Sequence, residues 1–201
     1  MKTYSKERVI NFSDAIFSIA ATILVLDLAV PSRREMVTEG VLSLFGERTP
    51  AFIGFFVSFF VIIMFWRAHM RNLSYAKEIG RRLLSINIFT LLFIVLLPFT
   101  TGLFVVGYDM ASAFRIYCFN IMALGICDYL TIRQVHDQAP NGSTMLRTHS
   151  SWYQNLALNV IIVWGLSALL ADSLPFLSRW LFILIFVNDF FINRFWTSRS
   201  S

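Results

Sequence analysis

The chain has 201 residues, of which 57% are hydrophobic and only 14% are charged, and its mean hydropathy is +0.66. This balance lies far outside that of soluble domains and indicates an integral membrane protein. The formal net charge of +5 is accompanied by no basic groove pattern or nucleic-acid-binding module, so nucleic acid is not an expected partner.

Six apolar segments are each long enough to cross about 30 Å of hydrocarbon as a helix. They predict an all-α membrane protein whose residues 1–201 form a single six-helix domain. The only sizeable polar connections, 33–50 and 134–150, are interpreted as loops. The predicted spans are 10–30, 51–70, 83–106, 110–132, 152–171 and 176–195.

Lysine and arginine are distributed unequally between the two sides of the predicted spans. Because basic residues are retained in the cytoplasm, the side richer in lysine and arginine is predicted to be cytoplasmic. Both termini lie on that side, so we expect a multi-pass cell-membrane protein with both termini cytoplasmic. The poorer side carries mainly Arg33, Arg34, Arg48 and Arg179. The richer side carries Lys2, Lys6, Arg8, Arg67, Arg71, Lys77, Arg81, Arg82, Arg133, Arg147, Arg194 and Arg199.

The first predicted span is amphipathic within the membrane. On a helical wheel, its small and hydroxyl-bearing residues form a narrow stripe that two bulky aliphatics interrupt. Such a face suits contact with water, ions or polar partners. For the hydroxyls alone, helix packing with hydrogen bonds to the backbone is an equally good interpretation. The stripe comprises Asn11, Ala15, Ser18, Thr22, Leu26 and Ala29, with Ile19 beside it.

Asp14 favours a polar role for this helix. A carboxylate inside a membrane costs at least about 2.5 kcal/mol and usually faces a cavity or a polar partner, a structural ion pair included. Trp66 and His69, three residues apart and therefore on one helix face, lie near the same boundary, as does Asn87. We expect Arg8, Asp14, His69 and Asn87 to form a network, although His69 alone is better interpreted as an interfacial side chain.

Residues 8–14, "RVINFSD", contain the pattern R-x-x-x-F-S-D. This resembles the start of the first helix in the transmembrane-protein-175 potassium channel family. The segment "AIFSIAATILVLDL", the Trp66/His69 pair and "NIFTLLFIVLLPF" extend the similarity, and the six-span plan covers nearly the whole chain. The structural motif that the resemblance implies comprises Arg8, Phe12, Ser13, Asp14, Trp66, His69 and Asn87.

The resemblance implies a potassium-preferring cation pore lined by the first helix of each repeat, without a T-V-G-Y-G filter. This sequence also lacks that filter. Animal members carry two six-span repeats, whereas this chain has one and so resembles the prokaryotic form. A central pore would then need four chains, which predicts a homotetramer in the lipid membrane. The pore-lining positions carried over from the family are Ser18, Ile19, Thr22, Ile23 and Leu26.

Side-chain chemistry suggests how these positions would act. Rings of Ile19, Ile23 and Leu26 would narrow the axis and exclude water, which is a recognised way of gating. Hydroxyls of Ser18 and Thr22 would replace part of the hydration shell of a cation and favour potassium only modestly. Potassium is expected as the permeant species, with no cofactor and no bound metal beyond monovalent cations.

A proton-coupled secondary transporter is the alternative function, because intramembrane Asp and His residues also build proton relays. Transporters usually carry internal repeats with helices interrupted near the midplane. Here Pro98 is the only proline inside a predicted span, and the "FSD" segment has no second copy. An enzyme is not expected, since the sequence contains neither H-E-x-x-H nor G-x-S-x-G.

Overall fold

The computed structural model describes residues 4–138, 144–181 and 183. Apart from one antiparallel bridge between Tyr4 and Ile79, the regular structure of these residues is helical. The helices are α1 Lys6–Ile23, which continues as a 3₁₀ turn over Leu24–Asp27, then α2 Arg33–Glu39, α3 Val41–Glu47, α4 Thr49–Tyr75, α5 Arg81–Val106, α6 Ala111–His136, α7 Thr144–Leu170 and α8 Pro175–Trp180.

Five segments of the described chain are long and apolar enough to cross a membrane, which confirms the all-helical, multi-span prediction for the first five predicted spans. They are Lys6–Leu26, Thr49–Tyr75, Arg81–Val106, Ala111–His136 and Ser151–Leu170. The predicted sixth span, 176–195, begins in α8, and its greater part lies outside the described residues.

The described parts of the two predicted loops contain more helix than predicted. Helix α6 ends at His136 and α7 begins at Thr144, so most of the predicted 134–150 loop is helical. The predicted 33–50 loop contains α2 and α3. Helix α2 begins with a capping box, in which the N–H of Glu35 donates to Ser32 Oγ at 3.3 Å and the N–H of Ser32 donates to Glu35 Oε2 at 2.6 Å. Gly40, with φ of 79°, then turns the chain into α3.

The core forms where α6 packs between α5 and α7, with α4 against α5 and α6. Ser58 of α4 joins this core through its hydroxyl, which lies 2.7 Å from Thr101 Oγ1 and 2.9 Å from the Tyr117 hydroxyl. Among the described residues, helix α1 packs mainly on α4 and α5. One side of α1 is therefore covered by the rest of the chain, and the other side is open.

Candidate functional site

Helix α1 divides into a buried face and an exposed face. The buried face follows an i, i+4, i+7, i+11 spacing and is at most 2% exposed; it consists of Ser13, Phe17, Ala20 and Leu24. On the opposite side, Ile19 is 57% exposed, Ile23 42% and Leu26 76%. We call the exposed set the open face; it comprises Ser18, Ile19, Thr22, Ile23 and Leu26. All the predicted pore positions therefore lie on one side of α1.

The two hydroxyls of the open face donate hydrogen bonds to their own helix. Ser18 Oγ donates to the Asp14 carbonyl at 2.8 Å, and Thr22 Oγ1 lies 2.9 Å from the Ile19 carbonyl. Each hydroxyl oxygen keeps two acceptor lone pairs, and both side chains are exposed. The packing interpretation predicts that each hydroxyl donates a hydrogen bond to its own backbone, and both do. Because donation uses only the hydrogen, the oxygen can still accept or coordinate.

The N-terminal end of α1 is held by the end of α4. Lys6 Nζ donates to the carbonyls of Ser74 at 2.7 Å and Ala76 at 2.9 Å. The Ser74 carbonyl belongs to the last turn of α4 and Ala76 is the residue that caps it, where intrahelical partners run out. A basic side chain at this position therefore ties the start of α1 to its neighbour.

The C-terminal end of α1 is held by the connection before α4. The Arg48 guanidinium donates to the Ala29 carbonyl just after the 3₁₀ turn. Arg48 also lies 3.9 Å from Glu35 of α2. The hydrogen bonds from Ser32, foremost that from its backbone N–H, and secondarily the Arg48 charge hold the pKa of the Glu35 carboxyl below its ordinary 4.5. The side chain of Asp27 lies outside the described set.

A cluster of polar side chains at the N-terminal half of α1 joins α1 to α4 and α5. Trp66 Nε1 donates to Asp14 Oδ1 at 2.9 Å, and Ser13 Oγ lies 3.2 Å from Asn87 Oδ1. We call this cluster the polar clamp; it comprises Ser13, Asp14, Trp66, His69 and Asn87. The clamp joins residues that are 52 and 74 positions apart in the sequence.

His69 is buried, and the interpretation of this residue as an interfacial side chain is wrong. It is 4% exposed, and its ring centroid lies 5.4 Å from that of Phe17. The ring is covered because α1 packs across this part of α4. Asp14 and Asn87 are its polar neighbours, and within the described chain its Nε2 has no hydrogen-bond partner.

Arg8 and Phe12 do not join the clamp. Arg8 is exposed and makes no hydrogen bond or ion pair with any described residue, so its predicted place in the network is not found within one chain. Phe12 is 63% exposed. The reason is helical rotation, since positions 8 and 12 share a side with Ile19, while Ser13 lies about 100° away from Phe12.

Sequence reasoning missed the carboxylate of the fourth predicted span. Asp128 of α6 accepts a hydrogen bond from Asn72 Nδ2 at 2.7 Å, which connects α6 to α4. The cost of an intramembrane carboxylate, which singled out Asp14, would also have singled out Asp128.

The space beside the open face is apolar. A groove of about 560 Å³ lies between α1 and α5. Among residues 4–138, 144–181 and 183, no group of three or more His, Cys, Asp or Glu residues is placed to hold a metal ion. The groove is lined by Ile19, Ala20, Ile23, Val95, Pro98, Phe99, Gly102, Leu103 and Val106.

Comparison with known proteins identifies relatives of the first half of the chain. Residues 8–98 match the family model described as the endosomal/lysosomal potassium channel TMEM175. The chain is 33% identical over 96 residues to a potassium channel of Streptomyces collinus, a match that covers 48% of this chain and 46% of the relative. It is 27% identical over 125 residues to the endosomal/lysosomal proton channel TMEM175 of Rattus norvegicus, covering 61% of this chain and 24% of the relative. The match thus spans about half of one relative and a quarter of the other.

A solved structure shares the fold over most of the chain. It is described as a lysosomal potassium-selective channel TMEM175 homolog from Chamaesiphon minutus. The TM-score is 0.68 at 22% identity, and the match covers 90% of this chain and 97% of the other. At this identity the likeness establishes the fold.

Proposed function

We propose that this chain, whose residues 8–98 match the TMEM175 family model, forms a potassium-preferring cation channel whose pore is lined by α1 from each of four identical subunits. The channel lies in the cell membrane with both termini cytoplasmic, crosses it six times in each subunit, and has no catalytic activity or cofactor. Potassium is the permeant ion.

One observation carries this proposal. Helix α1 is fastened at both ends and along one side, while its open face combines aliphatic and hydroxyl side chains that stay largely exposed in the described part of the chain. A single chain cannot close a pore around one such face. Four copies related by a cyclic axis would place these faces opposite each other around a central pore. Closed cyclic symmetry is common among homo-oligomers.

The surface of α5 supports assembly beside the open face. Its exposed apolar side chains continue the apolar groove along the helix, and a neighbouring subunit would cover them. Phe12 of α1 adds a large aromatic surface that is open in the single chain. The exposed residues of α5 include Ile88, Phe89, Leu92, Val95 and Phe99.

The gate is formed by apolar rings. Ile19, Ile23 and Leu26 are large aliphatic residues, and rings of such side chains make a narrow pore unfavourable for water. Opening requires these side chains to move away from the axis. Support comes from the exposure of all three in a helix whose other face is held firmly.

Ion preference resides in Ser18 and Thr22. Their acceptor lone pairs replace part of the hydration shell of a cation, while each hydroxyl hydrogen is held by a carbonyl of its own helix. The preference is modest because hydroxyl oxygens are weaker and fewer ligands than a filter of backbone carbonyls.

The polar clamp has a structural role and does not coordinate the permeant ion. Its hydrogen bonds run between helices of one subunit, from Ser13 on the buried face of α1 and from Asp14 at the edge of that face. The clamp therefore sets the rotation of α1 that presents Ile19 and Thr22 to the axis.

A proton-coupled transporter is the second candidate. The observation that favours it is the buried proximity of His69 to Asp14, since such pairs can relay protons. A transporter would saturate with substrate and respond to a proton gradient. A channel would pass unitary currents that a proton ionophore leaves unchanged.

The experiment that tests the proposal measures potassium and sodium flux from liposomes containing the purified protein, beside Thr22→Val. Valine nearly preserves the shape and deletes the hydroxyl, so we expect the potassium-to-sodium ratio to fall about two- to fivefold, the equivalent of roughly 0.5–1 kcal/mol. Thr38→Val, at an exposed position of α2, is the control and should leave the ratio unchanged. No potassium flux from the unmodified protein would refute the channel.

The tetramer is tested by cysteine cross-linking after Cys118 and Cys127 are replaced by alanine. Leu26→Cys should give covalent dimers within detergent-solubilised tetramers, because the four copies lie near one axis. Ile162→Cys, on α7 and 57% exposed, is the control and should remain monomeric on denaturing gels. Equal cross-linking at both positions, or a particle mass of one chain, would contradict the arrangement.

A further inference from the structure

A second cavity lies between α4, α6 and α7. Its volume is about 290 Å³, and it shares no lining residue with the groove beside the open face. This size is near the lower end of small-molecule sites, which occupy roughly 300–1,000 Å³. The cavity can therefore take a small polar group with a short apolar extension.

The polar end of the cavity carries two arginines and two donors that lack partners. Arg67 is exposed, and the Arg71 guanidinium lies 3.6 Å from the centre of the Tyr153 ring. Within the described chain, Arg71 Nε and Trp152 Nε1 are buried without a hydrogen-bond acceptor. A buried N–H without a partner is costly, so this wall favours a ligand that supplies acceptor oxygens.

Asp128 also lines the polar end, and its charge is compensated within the protein. Its Oδ1 accepts the hydrogen bond from Asn72, and the Arg71 charge acts on it. Arg67 remains without an acidic partner in the described structure. The net charge that the wall presents is therefore positive.

The remaining lining is apolar and lies on the membrane side of the arginines. It consists of residues that come earlier in α4 and later in α7, namely Met64, Phe65, Leu156, Ala157 and Val160. Helix α4 has 27 residues and is about 40 Å long, which exceeds the roughly 30 Å hydrocarbon layer. Arg71, four residues before the end of α4, thus lies at headgroup depth, about 6 Å from that end. The cavity is polar at the headgroups and apolar toward the interior.

We propose that this cavity binds the phosphate group of a membrane phospholipid, with Arg67, Arg71 and the Trp152 indole N–H as donors and the start of an acyl chain against the apolar wall. Basic pockets between transmembrane helices are suited to lipid headgroups. A free phosphate would leave the apolar wall unfilled and would face Asp128 without the anchoring of a chain, so the amphipathic lining favours the lipid.

The test measures thermal unfolding of the full, delipidated protein in detergent while three compounds are titrated. Dioctanoyl-phosphatidylglycerol carries both phosphate and chains, dioctanoylglycerol carries chains alone, and inorganic phosphate carries the anion alone. We expect a saturable rise in the unfolding temperature with the first compound only. Arg67→Gln should raise the half-saturating concentration of this lipid about tenfold, which is the expected loss for one charge-assisted hydrogen bond.

Two further variants make the outcome decisive. Trp152→Phe keeps the aromatic ring and deletes the N–H, and should weaken binding a few-fold. Arg82→Gln, an exposed arginine at the start of α5 that does not line the cavity, removes the same charge and should bind normally. Equal stabilisation by dioctanoylglycerol or by inorganic phosphate would overturn the lipid-phosphate site. The site would also be overturned if Arg82→Gln weakened lipid binding as much as Arg67→Gln does. It would likewise be overturned if neither Arg67→Gln nor Trp152→Phe weakened lipid binding.

Discussion

Ile19→Asn is expected to raise the resting potassium leak of the reconstituted protein about tenfold, which corresponds to roughly 1.4 kcal/mol off the permeation barrier. Ile19 is 57% exposed on the open face of α1, and in the proposed tetramer four copies form an apolar ring. A ring of amides hydrogen-bonds water and removes the dewetting barrier. Because the constriction then stays hydrated, discrimination between potassium and sodium should relax at the same time.

Ile19→Val is the matched control for this variant, since it keeps the ring apolar and changes only its width. Its leak should stay close to that of the unmodified protein. Both variants are compared by potassium and sodium flux per assembled tetramer in liposomes, so that a difference in yield does not appear as a difference in permeation. An unchanged leak and an unchanged ion ratio in Ile19→Asn would remove the open face from the pore.

Asp14→Ala is expected to reduce the yield of folded tetramer severalfold while leaving the ion preference of the assembled fraction unchanged. Asp14 accepts the hydrogen bond of Trp66 Nε1 at 2.9 Å, and its removal leaves that N–H unpaired in the membrane. An unsatisfied buried donor costs about 1–3 kcal/mol. The loss weakens the contact of α1 with α4. Helix α1 is then held less firmly in the rotation that directs the open face toward the proposed axis.

Asp14→Asn should fall between the alanine variant and the unmodified protein, because the amide keeps an acceptor oxygen and loses the charge. Trp66→Phe removes the other partner, and the double variant Asp14→Asn, Trp66→Phe should cost less than the sum of the two single changes. Glu7→Gln changes the same charge at an exposed position of α1 and serves as the control. Yield is measured by size-exclusion chromatography. Normal assembly with a lost potassium preference would place Asp14 in the permeation path instead.

The membrane class and the first five spans were predictable from the sequence, because hydropathy is a local property that needs no knowledge of neighbouring helices. Helix ends were less predictable. Helix α4 runs over 27 residues, beyond the predicted 51–70, since polar residues such as Arg71 continue the helix past its apolar stretch. The capping-box pattern of Ser32 and Glu35 is visible in the sequence and marks the start of a helix. It lies at the beginning of the segment 33–50, which hydropathy alone predicts as a loop.

The open face was also predictable, because helical periodicity alone places Ser18, Thr22 and Leu26 on one side of α1. The same periodicity could not show whether that side is open. This depended on α4 and α5 covering Phe17 and leaving Ile19 exposed.

By itself, then, the sequence determined the membrane class, the helical class, the two faces of α1 and the need of Asp14 for a polar partner. Only the tertiary structure decided which partners these residues have. It paired Asp14 with Trp66, buried His69 beneath Phe17, turned Arg8 outward and brought Asn72 to Asp128. The physical reason is that hydropathy and periodicity are set by residues within a few turns. Contacts between residues more than 50 positions apart depend on the rotation and depth at which whole helices pack.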